Sequence, residues 1–401
     1  MQVDYKGKSR HRILAGIRKA KRIARVDLAR ETGISAATVT TITSDLIDVG
    51  LIEETPRELS GEDQKRGRPR VDLKIRGKSH LIAGMKVSDH GISSVITNFE
   101  GAVISEHEYL MPNQSYAPSD LTEHINTALG QVAMKAGVNI SGLSGLGIGI
   151  AGIIDGKNGL AYWSPSLNER NVPLRQMISD KTGLNVFLDN DANLVAMAEQ
   201  YFGHGRTARD FIVVTVESGV GMGIVLNNEI YRGTRGCGAE FGHTKVHLDG
   251  ALCRCGQRGC LEAYVADYAL LREASVGSVL GEASDTAARL QTLLDAARAG
   301  ERTAEMIISR AGRMFAMGLA NIVNIFDPQL IIISGARMQS DFLYADDVIK
   351  MMHSSIVQVD VAPPEVVIHK WGDTMWAMGA AAYAIEGVSN TALRKVAQIA
   401  S

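Results

Sequence analysis

The stretch from Arg25 to Gly50 constrains this chain most, because it can bury its apolar side chains only as two helices joined by a tight turn. Arg25-Val-Asp-Leu-Ala-Arg-Glu-Thr32 predicts a short helix ended by Gly33, which can take the positive φ of such a turn. Ser35 then stands where an N-cap belongs. Val39, Ile42, Leu46 and Val49 recur at helical spacing, and Gly50 supplies a stop. Ile13, Leu14 and Ile17 place an apolar stripe on a preceding helix. Helix, glycine turn, helix is the sequence form of a helix-turn-helix.

The opposite face of the third helix carries Ala36, Ala37, Thr38, Thr40, Thr41 and Ser44. Small and hydroxyl side chains allow close approach to a groove and can bond phosphates or base edges, so Ser35, Ala37, Thr38 and Thr41 are the expected DNA contacts. The competing interpretation is an ordinary three-helix bundle with an indifferent polar face. The residues after the third helix weigh against it. Leu51-Ile-Glu-Glu54 and Val71-Asp-Leu-Lys-Ile75 predict two short strands, the second alternating, around a loop that ends Lys65-Arg-Gly-Arg-Pro-Arg70. That is a wing. Its Gly-Arg-Pro tip could lay Arg68 into a narrow minor groove, while Lys65, Arg66 and Arg70 neutralise phosphates.

Charge agrees with this division. The chain has a net charge of −2, yet residues 1–78 hold 18 Lys and Arg against 11 Asp and Glu. A basic head on an acidic body implies that the head meets a polyanion and the body does not. At 401 residues two or three domains are expected. Met1–Arg12 is polar and basic without a signal-peptide pattern, and no stretch approaches the roughly 20 apolar residues that span a bilayer. The expectation is a cytoplasmic protein with no membrane partner.

From Leu81 the pattern changes. Leu81–Val87, Ile92–Thr97 and Ala102–Glu108 predict an antiparallel meander. A helix over Leu121–Ala136 and an apolar strand over Gly145–Ala151 come next. Further strands at Val186–Asp189, Phe211–Val216 and Leu330–Ser334 alternate with helices, giving an α/β body long enough for two lobes. Cys253, Cys255 and Cys260 fall within eight positions, a spacing that can gather three thiolates around one ion. A disulfide framework is not expected with only four cysteines in a cytoplasmic chain. Cys237 is expected as a packing residue.

Four motifs carry a resemblance: Asn190-Asp-Ala-Asn193, Gly238-Ala-Glu-Phe-Gly-His243, Cys253-Arg-Cys-Gly-Gln-Arg-Gly-Cys-Leu-Glu262 and Asn324-Ile-Phe-Asp-Pro328. The chain resembles the ROK family, which groups sugar-responsive repressors with sugar kinases. The resemblance implies a winged helix-turn-helix over 1–78. It implies a two-lobed actin/hexokinase-like (ribonuclease H-like) domain over 79–401, with its cleft near 189–193. It makes His243 the fourth ligand of a closed, structural Zn2+ site with Cys253, Cys255 and Cys260. Sugar recognition falls to Gly152, Asn190, Asp191, Glu240, His243 and Glu262, since paired hydroxyls suit fixed carboxylates and amides. Asp191 matches the general base of ROK kinases, and it also suits an N-cap of the following helix.

The phosphate-binding half departs from the kinase pattern. Lys86-Val-Ser-Asp-His90 stands where kinases open with Asp-x-Gly-Gly-Thr, and Glu217-Ser-Gly-Val-Gly221 where they have Gly-Thr-Gly-x-Gly. Ser334-Gly335 replaces a late glycine pair. Asp191 is therefore expected to be a vestigial base, with no catalytic residue. The expected function is a DNA-binding repressor of carbohydrate-utilisation genes, a homodimer or homotetramer sensing a sugar or sugar phosphate. The alternative is an active ATP-dependent hexose kinase with a DNA-binding appendage.

Overall fold

Apolar side chains at helical spacing build the first three elements: α1 (Tyr5–Ala20), α2 (Arg25–Thr32) and α3 (Ala36–Asp48). Ile13, Leu14, Ile17, Leu28, Val39, Ile42 and Leu46 are buried together. Gly33 turns the chain at φ +64°, and the Ser35 hydroxyl accepts the Thr38 N–H at 3.2 Å as an N-cap. Val49 is 41% exposed and ends α3, its N–H donating to Asp45 O, so it does not extend the apolar stripe as expected. β1 (Ile52–Pro56) and β2 (Val71–Ile75) pair antiparallel. β2 does not alternate cleanly: Asp72 is buried alongside Leu73, for the strand is flanked by β1 on one edge and by the Ile23–Leu73 bridge on the other.

The computed structural model describes residues 5–57, 71–88, 90–234, 236, 238–276, 286–335, 346–357, 360–370 and 374–399. Arg66, Arg68 and Arg70 at the expected wing tip, and Lys65, Asp89 and Cys237, lie outside the described residues. The chain divides into two units, Met1–Asn190 with Trp376–Ser401, and Asp191–Met375.

In the first unit the meander is β3 (Leu81–Val87), β4 (Gly91–Asn98) and β5 (Val103–Leu110). α4 (Pro118–Lys135) leads to β6 (Gly145–Ile150), which lies parallel to β3. A hairpin, β7 (Ile153–Asp155) and β8 (Leu160–Trp163), precedes α5 (Leu174–Thr182) and β9 (Val186–Asn190), which is parallel to β6. The sheet order is β5-β4-β3-β6-β9. Ile92, Ile96, Leu121, Ile125, Leu129, Ile148 and Leu188 form its core.

The second unit opens with α6 (Asp191–Phe202) and a second meander, β10 (Phe211–Val216), β11 (Val220–Leu226) and β12 (Glu229–Ile230). α7 (Glu262–Val265), α8 (Asp267–Val276), α9 (Thr286–Arg298) and α10 (Arg302–Phe326) follow. α10 buries Ala304, Ile307, Ala311, Phe315, Leu319 and Ile322 at helical spacing. Asp327 ends it in the left-handed region at φ +42°, just before Pro328. β13 (Leu330–Ser334), α11 (Asp346–Ser355) and β14 (Glu365–His369) complete the order β12-β11-β10-β13-β14. Both sheets thus join an antiparallel meander to two parallel strands, the ribonuclease H-like pattern. From Trp376 the last helix, α12 (Met375–Ile399), belongs to the first unit.

Glycines set how closely α12 approaches its sheet. Gly84 and Gly147 face each other across β3 and β6; a Cβ at Gly84 would stand 2.1 Å from Ala377 O, and one at Gly147 1.8 Å from Ala380 O. Backbone cannot yield as a side chain can. Gly147→Val is expected to destabilise the chain by about 3 kcal/mol through overpacking. Gly130→Ala in α4, where the added Cβ meets nothing within 4 Å, should stabilise it by about 1 kcal/mol. Urea denaturation of the two variants measures both, and equal midpoints would overturn this role for Gly147. Among the described residues, no helix is long and apolar enough to cross a membrane.

Candidate metal centre and carboxylate cluster

The four predicted ligands come together in the second unit. His243 ends a short 3-10 turn, Phe241–His243, and the three cysteines lie on the loop that leads into α7. One donor atom from each of His243, Cys253, Cys255 and Cys260 lies within 4.8 Å of all the others. Cys255 Sγ is 3.7 Å from Cys260 Sγ, and Cys253 Sγ is 3.7 Å from His243 Nδ1. Tetrahedral ligation at about 2.3 Å to sulfur and about 2.0 Å to nitrogen places ligand atoms roughly 3.5–3.8 Å apart, which these separations match. Two of the thiols are buried and none forms a disulfide. The loop returns on itself through Val246 N–H to Gly259 O at 2.9 Å and Leu261 N–H to Thr244 O at 3.0 Å, which brings Cys260 back beside Lys245.

The surroundings of the thiols differ. Burial, reinforced by the nearby Glu262 carboxylate, pushes the Cys253 thiol up to about 12. Cys255, at the exposed tip, is held below the ordinary thiol value: hydrogen bonds from the Gln257 backbone and from Cys253 and Cys260, with the Lys245 charge, outweigh its partial burial. Lys245 Nζ stands 3.0 Å from Cys260 Sγ and the Tyr268 hydroxyl 3.6 Å from Cys253 Sγ. A cation and a hydroxyl beside the sulfurs disperse thiolate charge, as outer-shell partners of metal sites do.

Three carboxylates adjoin this knot. Asp191 is the first residue of α6, where its Oδ1 accepts the Ala192 N–H at 3.0 Å. Helical backbone thus begins at Asp191 itself, one residue before the run expected from the sequence. Glu262 opens α7 and is buried; its Oε2 accepts the Val220 N–H at 3.3 Å, and its Oε1 lies 3.4 Å from the Tyr268 hydroxyl and 3.5 Å from Cys253 Sγ. Glu240 retains 46% side-chain exposure, so it is only partly desolvated. That partial desolvation raises its pKa; His243 pulls it down, and the charges of Asp191 and Glu262 push it further up. His243 faces both groups, with Nδ1 toward the sulfurs and Nε2 4.0 Å from Glu240 Oε2. A metal on Nδ1 would therefore fix the imidazole edge presented to Glu240.

In the first unit, Asn190 Nδ2 donates to Gly152 O at 2.8 Å. Gly152 has φ +122°, and a Cβ there would come within 2.2 Å of Trp163 O, so only glycine fits. Lys86 sets its Nζ 3.6 Å above the ring of Trp376, which is buried. In the loop 217–221, the Glu217 N–H donates to Gly219 O at 2.8 Å while Val220 is held by Glu262. On α3, Ser35, Ala37, Thr38 and Thr41 are all exposed on one face. The Thr41 hydroxyl donates to Ala37 O at 3.2 Å, leaving its oxygen able to accept.

Sequence reasoning missed Tyr268, Lys245 and Trp376. Tyr268 comes soon enough after Glu262 that both can face one site, a spacing that could have raised it. Nothing local to Trp376 marks it as the partner of Lys86.

Comparison with known proteins agrees with these two parts. Residues 8–53 match the model of a winged helix-turn-helix DNA-binding domain, and residues 85–386 match that of the ROK family. The chain is 31% identical over 328 residues to the xylose repressor of Caldicellulosiruptor bescii, covering 80% of this chain and 81% of that one. Its fold is similar to the crystal structure of a ROK family transcriptional regulator, a homologue of the E. coli MLC protein, with a TM-score of 0.79, 25% identity and 98% of each chain covered. It is also similar to a ROK glucokinase from Streptomyces griseus in complex with glucose and AMPPNP, with a TM-score of 0.65 and 28% identity, over 77% of this chain and 100% of that one. With this match running through most of the body and joined to a helix-turn-helix head, the chain belongs to the ROK family.

Proposed function

We propose that this chain is a sugar-responsive transcriptional repressor. Residues 1–78 read double-stranded operator DNA, and residues 79–401 bind a sugar or sugar phosphate without transferring phosphate. The observation that carries the choice over a kinase is Lys86. A cation stacked on Trp376 stands where ROK kinases carry an aspartate, and it cannot help to hold a metal ion against phosphates. The held Val220 amide and the Glu217 carboxylate in the second phosphate loop support the same reading.

Asp191, Glu240, His243 and Glu262 are proposed as the hydroxyl-binding residues of the second unit, and Asn190 and Gly152 are assigned to the sugar on the family resemblance. Zn2+ is the proposed occupant of His243, Cys253, Cys255 and Cys260; bound there it supplies a fixed fold for the loop and no chemistry. A thiolate-rich site of this kind suits the reducing cytoplasm. The DNA-reading unit is proposed to be a homodimer or homotetramer, since paired helix-turn-helix heads bind half-sites about one helical turn apart.

A thermal-shift screen over D-xylose, D-glucose, N-acetyl-D-glucosamine and their phosphates tests the reading. A ligand at 100 times its Kd stabilises by about 2.7 kcal/mol. At least one sugar is expected to raise Tm by several degrees, to change affinity for operator DNA, and to lose both effects in Glu262→Gln. The same sugar with ATP should give no phosphorylated product. Turnover in the range of kinases, about 1 s⁻¹ or faster, would sink the repressor reading.

A further inference from the structure

The reading head is joined to the first sheet by the short segment Arg76–His80, between the end of β2 and the start of β3. A single linker of this kind is a swivel unless something else fastens the head. The fastening lies on α1. Arg18, in its last turn, donates from Nη1 to the carbonyl oxygen of Phe99 at 2.6 Å, and its guanidinium carbon stands 4.8 Å from the centre of the Phe99 ring. Phe99 sits in the turn between β4 and β5 and is fully buried.

The same phenylalanine holds the linker. Its N–H donates to Gly77 O at 2.9 Å, and the His80 ring meets it edge-on at 4.9 Å. His80 bonds Ser144 Oγ at 2.8 Å, just before β6, the strand that leads to Gly152. On the other side, Arg10 pairs with Asp45 at 3.6 Å, tying α1 to α3. Every link between the exposed face of α3 and the start of β6 is thus a packed or hydrogen-bonded contact within the first unit.

The geometry points to Arg18 as a positioning residue that clamps the DNA-reading head onto the effector-binding body, so that the sugar-bound state reaches α3. This role rests on the sugar-responsive reading above. A freely swivelling head would sample every orientation in either state, and the body could then not set the spacing of paired heads. Arginine suits the role because one planar group both stacks on the ring and donates in its plane; lysine can do only one of these at a time.

Two measurements on the full chain test it. Spin labels introduced through p-acetylphenylalanine at Glu31 and Met134, both exposed, leave the metal-site thiols untouched. Labelled chain is diluted into an excess of unlabelled chain, so that only distances within one protomer are read. The wild type should then give one narrow distance distribution, Arg18→Ala one at least twice as wide, and Arg18→Lys an intermediate width. An Arg18→Ala distribution as narrow as the wild type overturns the clamp, and if that variant does not fold, Arg18→Lys decides in the same way.

The second measurement uses a duplex selected by the wild type from a randomised pool, titrated with and without D-xylose, D-glucose and N-acetyl-D-glucosamine. Arg18→Ala should keep the sugar-induced thermal shift yet show less than a twofold effect of sugar on DNA affinity. A full wild-type ratio in Arg18→Ala refutes the coupling role. If the wild type itself shows no sugar effect, the sensing reading fails, and the label distances still decide the clamp.

Discussion

Cys260→Ser is expected to abolish zinc binding at the proposed site and to lower Tm by about 10 °C. Between His243 and Glu262 the segment is held by backbone bonds, by the side chains of Val246, Cys253, Cys260 and Leu261, by the Ala251 N–H donating to the Tyr264 hydroxyl and by Arg272 donating to Leu252 O. Yet Leu248 and Leu252 are 80% and 53% exposed, so a metal would add the tie that the outer part of the loop lacks. Closed zinc sites in small motifs contribute about 10–16 kcal/mol of apparent binding energy. Losing even a third of that, at about 2 °C per kcal/mol in a chain of this size, gives the stated shift. Metal analysis should find one zinc per wild-type chain and almost none in the variant.

Chelation should reproduce the drop, and added Zn2+ should reverse it. The pH dependence has a definite sign. With Cys253 pushed up to about 12, the metal-free site holds a protonated thiol at neutral pH, so binding must release that proton. Zinc affinity should therefore fall as pH falls, by about tenfold or more per unit. Because Glu262 touches Cys253 and His243 faces Glu240, sugar binding should be lost together with the metal. A Cys260→Ser protein with wild-type zinc content and Tm would remove the site from consideration. An unchanged sugar response in the zinc-free protein would sever the link to the carboxylates.

The second large effect belongs to α3. Ala37→Glu is expected to weaken operator binding by about 100-fold or more while leaving Tm within about 2 °C. Ala37 is exposed in the first turn of the helix, beside the Ser35 cap, with Thr38 and Thr41 on the same face. A carboxylate there costs the fold little, since acidic side chains are tolerated in a first turn. Pressed against DNA it meets phosphates. Two like charges at about 4 Å repel by about 1 kcal/mol in water and about 4 kcal/mol in a partly desolvated interface. The upper figure alone approaches 1000-fold. Ala37→Ser, small and neutral, should bind nearly as the wild type does. Fluorescence anisotropy at two salt concentrations measures both, and an Ala37→Glu protein with unaltered affinity would show that this face is not the one that reads DNA.

The head was legible because its physics is local. Ile13, Leu14, Ile17, Leu28, Val39, Ile42 and Leu46 lie within one short stretch, and the periodicity that hides them from water is the periodicity of the helices they form. Val49 misled for a related reason: the stripe continues in sequence past the point where the helix has run out of partners to cover it. The three cysteines were legible as a metal set through spacing alone, but spacing could not single out His243. Its imidazole reaches the sulfurs only because the loop returns through Val246–Gly259 and Thr244–Leu261 backbone bonds.

The amino-acid sequence by itself determined the helix-turn-helix, the α/β alternation of the body and the grouping of the three cysteines. Each is written in residues close together, or in a residue type that chemistry needs at one position. Only the tertiary structure decided what those residues do to one another. It set Lys86 over Trp376 from the far end of the chain, gave Glu262 the Val220 amide and the Cys253 thiol at once, and fastened Arg18 to Phe99. These contacts join distant segments, and their strength depends on burial and orientation that no short window of residues encodes. The cluster opened at Arg25 therefore announces a DNA reader, whereas the contact that would make the reader answer to a sugar appears only once β4 and β5 have turned Phe99 beneath α1.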